Sequence, residues 1–152
     1  MSDTKKLKHI PLFHNFSGTM LEEFASTFKP SAYAPGDVIF KEKAAGNSLF
    51  IILSGEVVIE KAMDEVGRDF KTLAILAGGD FFGEMALIDG AARFAQARAS
   101  ADTALYEVGR SQFFSFIKEH PETGIGIINE IMRTVFRRLQ HTSNELTMLF
   151  DL

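Results

Sequence analysis

The sequence predicts a mainly β fold with flanking helices: a small, jelly-roll-like β-roll, then a short helix and a long C-terminal helix. Three observations carry this expectation. Apolar spacing is helical in the first thirty or so residues. From about Tyr33 to Val108, short apolar runs alternate with closely spaced turn residues. After Gly109 the spacing becomes helical again. One domain over residues 1–152 is expected, with a helical N-terminal segment at 10–30, a β-roll at 31–109 and C-terminal helices at 111–150.

The elements follow in order. Leu21, Phe24, Ala25 and Phe28 share one helical face, Ser17 is placed to cap its start, and Pro30 is expected to end it. Upstream, Ile10-Pro11-Leu12-Phe13 supplies an apolar anchor. Candidate strands are Asp37–Phe40, Leu49–Leu53, Val57–Glu60, Phe70–Leu76, Phe94–Ala101 and Ala104–Val108. Pro35-Gly36, Gly46-Asn47, Ser54-Gly55, Val66-Gly67, Gly78-Gly79 and Asp89-Gly90 punctuate them. Ser111 is expected to cap a short helix bearing Phe113, Phe114, Phe116 and Ile117. Pro121 and Glu122 suit the first turn of the final helix.

That final helix carries an a/d-like seam: Ile128, Met132, Val135, Leu139, Thr142, Leu146 and Leu149. A second stripe, Ile127, Ile131 and Phe136, is expected to pack on its own domain. Two apolar faces on one helix suggest a homodimer; a single wide intramolecular face is the alternative.

Composition narrows the function classes. The chain has no cysteine, which removes disulfides and thiolate metal sites. A net charge of -4 argues against a general nucleic-acid surface. The lysines near Met1 precede no apolar core, so no signal peptide is expected. The runs Leu49–Leu53 and Leu73–Ala77 are too short to span a bilayer. A soluble, cytoplasmic protein without membrane association is the expectation.

The chemistry-bearing stretch is Phe82-Gly83-Glu84-Met85-Ala86-Leu87-Ile88-Asp89-Gly90-Ala91-Ala92-Arg93-Phe94-Ala95. Gly83 permits close backbone approach to a ligand. Glu84 to Leu87 can form one helical turn whose free N–H groups face an anion. Arg93 can fork onto two phosphate oxygens. A carboxylate beside a phosphate needs another role, and accepting a hydrogen bond from a sugar hydroxyl is the natural one. One acid, one arginine and one helical turn suit a sugar-phosphate.

This stretch resembles the phosphate-binding cassette of cyclic-nucleotide-binding domains, the family of the catabolite activator proteins and the kinase regulatory subunits. The resemblance runs from about Ile10 to Phe150 and includes Pro35–Phe40, Gly46–Val57 and Gly79-Asp80-Phe81. It implies that Phe82, Gly83, Glu84, Met85, Ala86, Arg93, Phe94 and Ala95 surround the ribose-phosphate, with Glu84 on the 2′-hydroxyl and Arg93 on the cyclic phosphate. Ile59 and Leu73 match positions flanking the base, and Arg138, Thr142 and Ser143 match ligand-site positions on the long helix. Two residues depart from the family pattern. Ala92 stands where proline is usual, and Phe94 where alanine, serine or threonine is usual, so a hydroxyl contact to phosphate is lost.

Each assignment has a plainer alternative. Glu84 and Arg93 could form a surface ion pair, Ile59 and Leu73 could be core, and Thr142 and Ser143 could be solvated. A cupin-type enzyme would need histidines clustered in the roll, whereas His9, His14, His120 and His141 all lie outside it. No Ser-His-Asp set can be assembled either. The expectation is therefore a non-enzymatic, metal-free, cAMP-responsive regulatory module. It would dimerise, act on an unidentified protein partner in trans, and make no direct DNA contact, since no helix-turn-helix follows within the chain. A dimerising scaffold with an altered pocket is the alternative.

Overall fold

The computed structural model describes the backbone of residues 2–150 and the side chains of residues 4–141. Helices α1 (Ser2–Lys8) and α2 (Gly18–Ala25) flank a 3-10 turn at Pro11–Phe13. Strands β1 (Lys29–Tyr33), β2 (Val38–Phe40), β3 (Ser48–Ser54), β4 (Glu56–Ala62), β5 (Phe70–Ala77) and β6 (Phe81–Phe82) follow. Then come α3 (Glu84–Asp89), β7 (Gln96–Ala99), β8 (Thr103–Gly109), α4 (Arg110–Glu119) and α5 (Pro121–Phe150). The strands form two antiparallel sheets, ordered β1-β8-β3-β6 and β2-β7-β4-β5. The jelly-roll-like β-roll with flanking helices is the predicted fold class.

The apolar run in β3 reads as a strand because it is buried on both faces. Alternation sends Phe50 and Ile52 into the roll, where they meet Val57, Leu76, Phe82, Ala97 and Leu105. Leu49 and Ile51 point the other way, into a second core shared with the helices. That second core is rich in aromatics. Phe116 stacks on Phe24 with ring centroids 4.3 Å apart and on Phe16 at 5.2 Å. Ile127 and Ile131 of α5 complete it, 1% and 2% exposed.

Several boundaries differ from the sequence expectation. α2 stops at Ala25, and Pro30 lies inside β1, so the β region begins at Lys29. β1 is an edge strand paired with β8 alone, where a residue lacking an N–H is tolerated. Ser17 does cap α2, accepting from the Met20 N–H at 3.2 Å. Ser111 caps nothing: α4 starts one residue earlier, and its N-cap is Gly109. β7 is shorter than expected, leaving Phe94 and Ala95 in the preceding loop. Phe136 is 60% exposed and does not join Ile127 and Ile131. Five residues beyond Ile131, it has turned about 140° off their stripe. Helix α1, the 3-10 turn and β6 carry too few periodic residues to be read from sequence. No helix among the described residues is long and apolar enough to cross a membrane.

Phe116→Ala should destabilise the protein by about 3–5 kcal/mol, because it empties a ring position between α2, α4 and the turn before α2. Urea denaturation followed by circular dichroism measures it; a loss below about 1 kcal/mol contradicts this account of the second core.

Candidate functional site

The segment after β6 is anchored in both cores at once. Phe82 stacks on Phe50 inside the roll, centroids 5.2 Å apart, while Phe81 packs into the helical core. Gly83 follows with φ 84°, a left-handed conformation that glycine adopts without steric cost, and serves as the N-cap of α3. Having no side chain, it leaves the first-turn N–H groups of α3 open to an outside acceptor. Leu87 seats α3 on the helical core. At the other end of α3, Arg110 Nη1 donates to the carbonyls of Leu87 at 2.9 Å and Ile88 at 3.0 Å.

Arg93 is 5% exposed. Its Nη1 donates to the carbonyls of Ser48 at 2.9 Å and Gly83 at 3.2 Å, and its Nη2 to Ser48 Oγ at 3.1 Å. The guanidinium lies over the Phe40 ring at 4.3 Å. Nε is buried without a partner. Burial pushes the Arg93 pKa below its ordinary value, and the nearby carboxylates of Glu107 and Glu84 partly oppose that. The backbone is held as well: Arg93 N–H donates to Ala44 O at 2.9 Å, and Lys43 N–H to Arg93 O at 2.7 Å. A Cβ at Gly46 would overlap the guanidinium, and one at Gly83 would lie 2.7 Å from Nη1. A side chain at either position would therefore displace the guanidinium.

Glu84 meets α5. Arg138 Nη1 lies 3.4 Å from Glu84 Oε1, and Arg138 Nη2 donates to Phe81 O at 2.6 Å. Both side chains are shielded, so the pair is screened less than a surface ion pair. The acid of the cassette is thus tied to the long helix.

The structure brings Phe82, Gly83, Glu84, Arg93 and Arg138 together. Phe82, Ala86 and Ala95 are buried, so only their backbones can face a ligand. Met85 and Phe94 are about half exposed. Ile59 borders the roll interior, whereas Leu73 sits at a register shift in β5 and is 40% exposed. The side chains of Thr142 and Ser143 lie outside the described residues. Sequence reasoning missed the roles of Ser48, Phe40 and Arg110. Ser48 and Phe40 fall within segments carrying the resemblance, but nothing in the sequence assigns them to Arg93. Two surface concavities, one beside Phe24 and Phe116 and one beside Tyr33 and Asp102, contain none of the cassette residues. Glu23, Glu119 and His120 form a cluster with metal-ligand atoms within 4.8 Å of one another, between α2 and the end of α4.

Residues 30–120 match the family described as cyclic nucleotide-binding domain. The chain belongs to that family. This cyclic nucleotide-binding domain is 31% identical to the cyclic AMP receptor protein of Thermus thermophilus over 143 residues, 94% of this chain and 63% of that protein. It is 30% identical to a cAMP-dependent protein kinase regulatory subunit from Hypocrea atroviridis over 107 residues, 70% of this chain and 22% of that one. The crystal structure of Thermus thermophilus catabolite activator protein superposes with a TM-score of 0.77 at 31% identity, covering 91% of this chain and 62% of that one. The cyclic nucleotide-binding domain thus spans less than two thirds of the length of these relatives.

Arg93 is built into the fold as well as into the cassette. Arg93→Ala should therefore cost about 2–4 kcal/mol of stability, because it removes a buried side chain and strands the acceptors at Ser48 and Gly83. Denaturant unfolding tests it, and a variant as stable as wild type refutes it.

Proposed function

We propose that this domain binds a cyclic nucleotide, cAMP in preference to cGMP, and passes its occupancy through α5 to a protein partner in trans. The observation that carries the reading is the joint placement of Arg93 and Glu84 at the start of α3, with Glu84 linked to α5 through Arg138. A cyclic phosphate would accept from Arg93, whose Nε has no protein partner, and from the open N–H groups of α3. The ribose 2′-hydroxyl would donate to Glu84. Met85 and the backbones of Ala86, Phe94 and Ala95 would complete the phosphate side, and Ile59 and Leu73 would flank the base.

The mechanism follows from competition. A sugar hydroxyl and Arg138 both seek the Glu84 carboxylate, so ligand would alter the hold that α5 has on the cassette. Ligand shifts the placement of α5 only by its differential affinity for the two arrangements. Thr142 and Ser143, farther along α5, are assigned to the base. The relatives that are named for cAMP support that ligand. Position 94 supports the direction of the preference, since Phe94 has no hydroxyl to hold guanine. The domain is read as a cytoplasmic regulator and not an enzyme, with no metal and no direct DNA contact.

The exposed stripe on α5 supports a homodimer. Ile128 and Val135 are 36% exposed, Met132 61% and Leu139 60%, all on one side of the helix. A second reading, a dimerising scaffold that binds nucleotide weakly or not at all, is favoured by Arg93 already being satisfied largely by protein acceptors.

Isothermal calorimetry tests the main reading. Wild type should bind cAMP more tightly than cGMP by about 1–2 kcal/mol, roughly 5–30-fold. Arg93→Lys keeps the charge but loses the planar fork, and should weaken cAMP by at least about 2 kcal/mol. No heat with either nucleotide leaves the scaffold reading; tighter cGMP binding rejects the preference. For the dimer, light scattering should report dimeric wild type and monomeric Leu139→Asp, which places a charge in the seam. A monomeric wild type at high micromolar concentration rejects that interface.

A further inference from the structure

Strand β4 alternates along its length. Val57 lies inside the roll, and Ile59 packs against the same cluster. Lys61 is the next residue on that face, beyond the apolar cluster, and an ammonium group there is out of keeping with Val57 and Ile59. It does not extend freely into solvent. Lys61 Nζ donates to Phe94 O at 2.8 Å and to Glu42 Oε2 at 3.3 Å, and lies 4.1 Å from the centre of the Phe94 ring.

Two features make this arrangement more than a surface pair. The first is charge. Lys61 stands directly opposite Lys71 across the β4–β5 ladder, and like charges placed so destabilise a sheet. Glu42, which also accepts the Ala62 N–H at 3.0 Å, offsets part of that charge. Of the two ammonium groups facing each other, Lys61 is the one that Glu42 pairs with. The second is position. Residue 94 follows Arg93, whose backbone N–H and carbonyl are bonded to Ala44 and Lys43, so the ammonium is bound to a backbone-held residue next in sequence to the cassette arginine. An ammonium has three N–H donors. Two oxygens accept from it here, which leaves capacity for one further acceptor.

We infer that Lys61 is a ligand-binding residue: it supplies to the anionic phosphate the donor that Phe94, lacking a hydroxyl, cannot. This rests on the cyclic-nucleotide reading above. The Phe94 ring and its carbonyl hold the ammonium at the rim, and an arriving phosphate oxygen takes the third N–H in exchange for the weaker ring contact. A charged donor thus takes the place of a neutral one at the phosphate.

Calorimetry with cAMP on wild type, K61M, K61R, F94S and the double variant K61M/F94S tests the assignment, with thermal melting to verify folding. K61M should bind at least about tenfold more weakly, the ordinary worth of a hydrogen bond to a charged group. K61R should retain most of the affinity, and K61M/F94S should recover to within about threefold of F94S, because a hydroxyl at position 94 replaces the missing donor. Wild-type binding of cAMP with K61M unchanged overturns the Lys61 assignment and leaves the function standing. A loss that K61R shares and F94S does not repair shows that Lys61 only props the loop, and overturns the assignment too. Failure of wild type to bind either cAMP or cGMP overturns the function and the assignment together.

Discussion

The buried guanidinium of Arg93 is the interaction on which the site depends. A fully desolvated cation is costly unless its donors are met. Here the two Nη groups are met by the Ser48 carbonyl and hydroxyl and by the Gly83 carbonyl, with the Phe40 ring beneath, while Nε is left without a partner. Those acceptors come from the start of β3 and from the turn into α3, so the arginine holds the cassette against the roll. It also dictates what its neighbours can be. Gly46 and Gly83 have no room for a Cβ, because the guanidinium occupies that space.

The two cores join the cassette to the helices outside the roll. β3 is shared by both, with alternate residues on each side. β6 repeats that division in two residues: Phe82 in the roll and Phe81 among the helices. The cassette begins at the next residue. Its first helix is seated by Leu87, held at its C-terminal end by Arg110, and reached from α5 by Arg138. A ligand at Gly83 and Glu84 would therefore act at a junction of both layers. Packed cores shift between discrete arrangements and do not deform continuously, which makes such a junction suited to switching.

The exposed apolar side of α5 belongs to the same logic. Ile127 and Ile131 anchor one face, while Met132 and Leu139 are left bare on another. A helix held on one face by its own domain and open on the other can report a change in the first face to whatever covers the second. The Glu84–Arg138 pair lies on the inner side of that helix and gives the cassette a direct hold on it.

The sequence by itself determined what depends on local order. Strand β3 was legible as the unbroken apolar run Leu49–Leu53, the Ser17 cap as a serine before a helical stripe, and the cassette as glycine, acid and arginine at short spacing. Short elements with few residues to set a period, such as β6, were not legible, and the stripe through Ile127 and Ile131 could be followed only until helical rotation carried Phe136 off it. Tertiary structure alone decided what each charged group bonds. Arg93 finds Ser48 across 45 positions of chain, and Arg138 finds Glu84 across 54. A guanidinium accepts any well-placed oxygen, so the residue type specifies that partners are needed and the fold specifies which. For the same reason Lys61, an ordinary surface lysine in the sequence, becomes part of the site only once β4 and the Arg93 loop are side by side.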